Sequence, residues 1–427
     1  MSMPPEIPRR RVRAKVNPPR ASAVPLQEIP VPEAAAQLAA PDAVVLVPDT
    51  PNAQEDALAS PPKDKFYKVQ TTDVLLHRYR VKHAIGAGSF GTVVKAEDNS
   101  TGKAVAVKFF HHSETSKTMP ANEELMYAKI LAGCNPHIDL FAHIIGSGVH
   151  RGFRFIAFDF CQSTLYDLSK GYSGFLPLPS RHIMEISFQL IRAVEYLHSL
   201  DIIHTDLKPD NIGIRSQESA KVAWLDTQSG FKEKKILVSA QICILDFGNA
   251  MHNPRSVGFP GRVAALPYRA PEVTLGWSWS FGVDVYAVGC IIGELYVMRQ
   301  LFDGAIQSDQ EHLAAIDRLL GPYATDHAKR IELMYPGTFK FGDIPRVRFP
   351  PLMAIPPTSV VHVEAWRRLD AIRPLSSIIH DVALHDLLKK MLALESENRI
   401  GMACAAKHQY FDPLGSTTSI VVSADQI

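Results

Sequence analysis

The chain is 427 residues long, 46% apolar, and carries a formal net charge of +1, so it can fill one large or two moderate domains and has no broad field to draw nucleic acid or a membrane. Its five cysteines (Cys134, Cys161, Cys243, Cys290 and Cys404) are scattered and include no CxxC pair, which argues against a disulfide framework or a zinc site and for a reducing compartment. The most apolar long stretch, residues 285–293, is too short to span a bilayer, and the first residues lack an apolar signal core, so neither membrane insertion nor secretion is expected.

Residues 1–64 hold thirteen of the 31 prolines and no sustained apolar period, a composition that cannot bury enough surface to offset the entropy of folding. A disordered tail is expected there. Its first twenty residues gather Arg9, Arg10, Arg11, Arg13, Lys15 and Arg20, which read either as a nuclear import signal or as an ordinary solvated basic run.

From Tyr79 the pattern alternates. Tyr79, Val81 and Val93 sit at strand-like spacing on either side of a glycine turn, and "KAVAVKFF" after Gly102 adds another strand, so an antiparallel sheet is expected. After Pro120, Leu125, Ala128 and Leu131 fall at helical spacing. Beyond residue 160 helices dominate: Ser180 is placed to cap a helix whose apolar face is Ile183, Ile186, Leu190, Val194 and Leu197.

"GAGSFG" supplies Gly86, Gly88 and Gly91 in a spacing that lets backbone amides approach phosphates. A dinucleotide site would need a helix next, but "TVVKAED" continues as a strand, which points to a phosphate-covering hairpin. Lys108 is the only charge in an apolar strand, and its functional reading is a cation held against nucleotide phosphates by a carboxylate; Glu124 is the candidate, with Glu123 a close rival. In "HTDLKPDN", Asp206, Lys208 and Asn211 supply the carboxylate, cation and magnesium ligand that a phosphoryl transfer needs on one short loop. Asp246 in "ICILDFGNA" ends a strand and offers a second metal ligand beside Gly248. Asp210 is assigned no chemistry.

These signals, in this order, resemble the eukaryotic protein kinases from about Asp73 to Leu414, roughly 80% of the chain. "YRAPE" with Glu272, "GVDVYAVGC" with Asp284 and "ENRI" with Arg399 agree. The resemblance implies an α+β, bilobal fold with a small antiparallel-sheet N-lobe (73–160), a larger, mainly helical C-lobe (161–414) and a tail at 415–427. It implies a buried Glu272–Arg399 ion pair and an Asp284 that ties down the catalytic loop. It implies ATP and Mg2+ as cofactors, with Asp206 and Lys208 catalytic, Asn211 and Asp246 on metal, and Ile85, Gly86, Gly88, Gly91, Val93, Ala106, Lys108, Glu124, Phe158, Asp159 and Cys161 around the nucleotide. Phe158 is the bulky residue behind the adenine, and "DFC", residues 159–161, is the hinge.

Within the CMGC group the chain is similar to the LAMMER (CDC-like) dual-specificity kinases. Thr205 in "HTDLKP" stands where most kinases carry arginine, and "EHLAAIDRLLGP" at 311–322 looks like a degraded LAMMER motif in which Ala315, Ile316 and Asp317 depart. Thr205 has no charge to pair with a phosphate, and the activation segment offers only Ser256 and Tyr268 as acceptors, so activity independent of its phosphorylation is expected. Ala265 and Leu266 replace polar residues near the substrate; losing one orienting hydrogen bond costs about 1–3 kcal/mol. The expectation is therefore a kinase acting on Ser/Thr, with Tyr open, of protein substrates, basic or Ser/Arg-rich ones included. It is expected to be monomeric and nuclear, with the cytoplasm as an additional location, and to bind neither nucleic acid nor membrane. The competing reading is an inactive scaffold that binds nucleotide or partners.

Overall fold

Alternation along β4 (Ala104–Phe110) divides its side chains between two environments. Val105, Val107 and Phe109 enter the core of the N-lobe, while Ala106 and Lys108 face a deep cleft. β4 is central in a six-stranded antiparallel sheet of order β1-β2-β3-β4-β6-β5, whose other strands are β1 (Val74–Leu75), β2 (Tyr79–Ala87), β3 (Gly91–Asp98), β5 (Ile144–His150) and β6 (Phe153–Asp159). The computed structural model describes residues 64–112, 118–133, 137–169, 175, 177–226, 230–350 and 360–415. These lie in one compact unit, 50–427. The Pro-rich tail up to residue 63, with its basic cluster, and nearly all of the 415–427 tail lie outside the described residues, as does Cys134. Packing begins ahead of Asp73, because Tyr67 is buried and stacks on Phe109 with ring centroids 3.7 Å apart.

α1 (Met119–Ala132) packs against the sheet through Met119, Glu123, Met126, Tyr127 and Ile130. That is the face opposite to the expected one: Leu125 is 51% exposed and Leu131 43%. The apolar residues at 125, 128 and 131 have the right period but the wrong side, because the sheet takes the larger Met126–Tyr127–Ile130 stripe.

The C-lobe is built on α2 (Ser180–Ser199), whose Ile183, Ile186, Leu190, Val194 and Leu197 are all buried as their spacing requires. Ser180 is the first helical residue and not the cap; Pro179 holds that place without a side-chain hydrogen bond. α3 (Gly282–Val297) is buried on every face from Val283 to Leu295, and α4 (Asp309–Leu320) and α5 (Val382–Met391) complete the surroundings. Among the described residues no helix is long and apolar enough to cross a membrane.

Short strands carry the chain back to the cleft. β8 (Ile202–Ile203) pairs with β13 (Met251–His252), β9 (Ile212–Ile214) lies between β7 (Ser163–Thr164) and β12 (Ile242–Ile244), and β10 (Ser219–Asp226) pairs antiparallel with β11 (Gly230–Leu237). The register Ile212↔Ile244, with Leu245 N donating to Asn211 O at 2.9 Å, delivers Asn211 and Asp246 to the same edge.

Candidate active site

Lys108 Nζ donates to Glu123 Oε2 and to Asp246 Oδ1, each at 2.7 Å, so one buried ammonium joins β4, α1 and the end of β12. Burial alone would lower its pKa, but the two carboxylates carry it above the usual lysine range, and Lys108 stays charged. The partner is Glu123 and not Glu124. Glu123 shares the buried face with Met126, Tyr127 and Ile130, whereas Glu124 is turned one position outward and meets Arg154 at 3.2 Å on the surface.

The loop between β8 and β9 is held from behind. Asp284, at the start of α3 and 1% exposed, accepts from His204 N at 2.8 Å and Thr205 N at 2.9 Å. Thr205 is thereby kept at φ 69°, a left-handed conformation that costs a β-branched residue about 1–3 kcal/mol. The next residue, Asp206, turns into the cleft, where its Oδ2 accepts from Lys208 Nζ at 2.7 Å and from Asn211 Nδ2 at 3.2 Å. The Asn211 amide also reaches Asp206 O at 2.8 Å.

A column of rings links the two lobes beside these groups. Phe158 meets Tyr127 (5.4 Å between centroids), Tyr127 meets Phe247 (4.9 Å), and Phe247 meets His204 (4.9 Å). Asn122 of α1 adds two hydrogen bonds of 3.0 Å to the carbonyls of Gly248 and Ala250. At Gly248 a Cβ would stand 2.8 Å from Met119 Cε, a terminal methyl that can turn aside, and 3.3 Å from Asp246 Oδ1.

The cleft has a volume of about 590 Å³ and its lining contains every candidate residue except Glu124. Ile85, Val93, Ala106 and Phe158 make an apolar slot at the end formed by the lobe connection. Asp159 and Cys161 border it, but the Asp159 carboxylate is already committed to Arg215 and to His143 N, which leaves the backbone of this segment to meet a ligand. Overhead, Gly88 N bonds to Gly91 O at 2.9 Å in the β2–β3 turn. Gly91 has no room for a side chain, since a Cβ would lie 2.5 Å from Phe109 O, while Gly88 faces open space.

The donor set suits a hard cation that brings other ligands with it. Among the described residues no group of three His, Cys, Asp or Glu could enclose a metal alone. Asp246 bonds Lys108 and Gly248 N through Oδ1, and Asn211 spends its amide hydrogens on Asp206, so Asp246 Oδ2 and Asn211 Oδ1 are the oxygens left to offer. One carboxylate and one amide oxygen fit magnesium shared with phosphates and water, and do not fit zinc.

Supports away from the cleft are where the motifs place them. Arg399 forms a bidentate pair with Glu272, both bonds 2.6 Å and both residues buried. Tyr268 is 4% exposed and donates to Glu294 at 2.7 Å, so Ser256 is the exposed hydroxyl of the segment. Sequence reasoning missed Asn122, Arg215 and the Thr205–Asn249 contact, none of which sits in a pattern that spacing reveals. Tyr127 was within reach, as the aromatic on the buried stripe of α1.

The protein kinase domain model matches residues 79–411. The chain is 31% identical over 371 residues to the dual specificity protein kinase lkh1 of Schizosaccharomyces pombe, which covers 83% of this chain and 50% of that protein. It is 30% identical over 353 residues to the dual specificity protein kinase CLK1 of Homo sapiens, covering 81% of this chain and 68% of that protein. The crystal structure of a kinase domain overlays with a TM-score of 0.69 at 21% identity, covering 82% of this chain and 99% of that one, a likeness of fold. The chain thus spans about half the length of the lkh1 relative and over two thirds of the human one. Fold, cleft and matches agree that it belongs to the protein kinase family, as a divergent relative of the CLK dual-specificity kinases.

Proposed function

We propose that this chain is an ATP-dependent protein kinase that transfers the γ-phosphoryl group to Ser and Thr, and also Tyr, hydroxyls of proteins. The observation that carries the reading is the single point where Lys108 Nζ lies 2.7 Å from both Glu123 and Asp246, in the cleft that Asp206 and Asn211 also line. The apolar slot of Ile85, Val93, Ala106 and Phe158 takes the adenine, and the glycine turn and Lys108 take the phosphates. Asp206 receives the acceptor hydroxyl and its proton; as the new O–P bond forms, the bond to the β-phosphate oxygen breaks, and Lys208 offsets the charge beside it. Asn211 and Asp246 would hold magnesium, which when bound neutralises charge on the triphosphate.

The scaffold alternative has less support. The Lys108, Asp206, Asn211 and Asp246 set is complete, and Asp206 is oriented by Lys208 and Asn211 although Ala265 brings no hydroxyl. Asp167 and Asp210 on the open edge of the cleft favour basic substrates, Ser/Arg-rich ones among them. The basic run at 9–20 supports a nuclear address, and the protein is proposed to act as a monomer.

The test is labelled ATP with magnesium and a basic Ser/Thr/Tyr peptide mixture, compared with Asp206→Ala. Transfer lost in the variant, with phosphoserine and phosphothreonine recovered from the wild type, is the expected result. Equal signal from the two proteins would remove the enzyme, and a nucleotide-dependent rise in Tm without transfer would establish the scaffold.

A further inference from the structure

We infer that Cys161 and Cys243 form a reversible thiol pair at the floor of the nucleotide cleft, closed to a disulfide by peroxide and reopened by a dithiol, and that the closed form slows turnover. The two residues are free cysteines 82 positions apart, yet Cys161 Sγ lies 2.6 Å from Cys243 Sγ. Cys161 follows β6 in the connection between the lobes, and Cys243 is the middle residue of β12. Gly213 of β9 runs between them, and its missing side chain makes the approach possible: a Cβ there would stand 2.7 Å from Cys161 Sγ and 2.9 Å from Cys243 Sγ. Any other residue at 213 would force the sulfurs aside.

The surroundings sort the two sulfurs into roles. Cys161 lines the cleft and is half-buried, so a small oxidant reaches it, whereas Cys243 is completely buried. The close contact with Cys243 pulls Cys161 below the usual thiol range, with Arg215 assisting, while the same contact and burial push Cys243 well above it. Cys161 thiolate attacks one peroxide oxygen: the S–O bond forms, the O–O bond breaks, and hydroxide takes a proton to leave as water. The Cys243 sulfur then attacks Cys161; the S–S bond forms, the S–O bond breaks, and the departing hydroxide takes the Cys243 proton as a second water. Two electrons pass from sulfur to peroxide, and a dithiol returns them.

The bond would tie the lobe connection to the strand that delivers Asp246. Cys161 lies in the connection on which the lobes turn, and altering a hinge commonly changes kcat and KM together, so the tied form turns over more slowly. This consequence rests on the phosphotransfer reading above; the thiol chemistry does not.

The experiment treats full-length protein with stoichiometric hydrogen peroxide, alkylates the remaining thiols, maps the linked peptides, and measures transfer before oxidation, after it and after dithiothreitol, for wild type, Cys243→Ala and Cys404→Ala. The expected result is a Cys161–Cys243 peptide in wild type and Cys404→Ala, with turnover falling about tenfold and returning on reduction, and no loss in Cys243→Ala. Alkylation of both cysteines after peroxide, or the same loss in Cys243→Ala, overturns the inference. If untreated wild type transfers no phosphate, the kinase reading fails, and the peptide map alone decides the thiol pair.

Discussion

The Thr205 hydroxyl donates to the Asn249 carbonyl at 2.9 Å, and through that bond the loop bearing Asp206 holds the segment that follows Asp246. Where an arginine would wait for a phosphate, a neutral side chain makes a direct contact to backbone. Asp284 on Thr205 N and Asn122 on the Gly248 and Ala250 carbonyls complete a set of bonds in which no phosphoryl group takes part.

Thr205→Val keeps the shape and the branched Cβ but removes the hydroxyl. One hydrogen bond of about 1 kcal/mol then goes, and kcat falls about fivefold. Phosphatase treatment of the wild type, assayed beside it, leaves the rate nearly intact. A tenfold loss on dephosphorylation would show that the segment needs its phosphate after all.

The neighbouring glutamates of α1 separate cleanly by mutation. Glu123→Gln removes the buried charge that faces Lys108, and kcat/KM drops by about 10- to 150-fold, the equivalent of about 1.5–3 kcal/mol for a bond to a charged group. Glu124→Gln touches only an exposed pair with Arg154, of about 0–1 kcal/mol, and stays near the wild-type rate. Steady-state kinetics on both variants decide it; comparable losses would return Glu124 to the site.

Asp317, one of the departures in the degraded motif on α4, is 3% exposed, and its Oδ1 has no hydrogen-bond partner. Burial pushes its carboxyl up from 3.8 to about 6, with Arg346 at 2.8 Å pulling the other way. Below 3.8 the group is protonated in both folded and unfolded chains. As pH rises from there to about 6 the unfolded chain gives up its proton first, so stability falls across that window and levels off above it. Asp317→Asn should flatten this limb, with a gain approaching about 3 kcal/mol at neutral pH. Urea midpoints from pH 4 to 7 test it, and parallel curves for the two proteins would refute it.

How far the site could be read before the fold was known depended on the range of the signal. Lys108 is legible because strand alternation gives an isolated lysine one of two faces, and Asp206, Lys208 and Asn211 because they lie within six residues of one another. The face of α1 is less legible. Two apolar stripes, at 125, 128 and 131 and at 126, 127 and 130, have similar periodicity, and only the sheet decides which is buried. The buried stripe carries Glu123 with it and leaves Glu124 outside.

Order along the chain, the glycine turn, the residue types of the catalytic loop and the two-lobe α+β architecture were therefore set by local pattern, which needs no partner to be recognised. The pairing of Lys108 with Glu123, the contact of Thr205 with Asn249 and the meeting of Cys161 with Cys243 were decided by tertiary structure alone. Each joins groups 15 to 82 residues apart, and which of several equivalent side chains ends up opposite another depends on how strands and helices pack, a choice that periodicity leaves open.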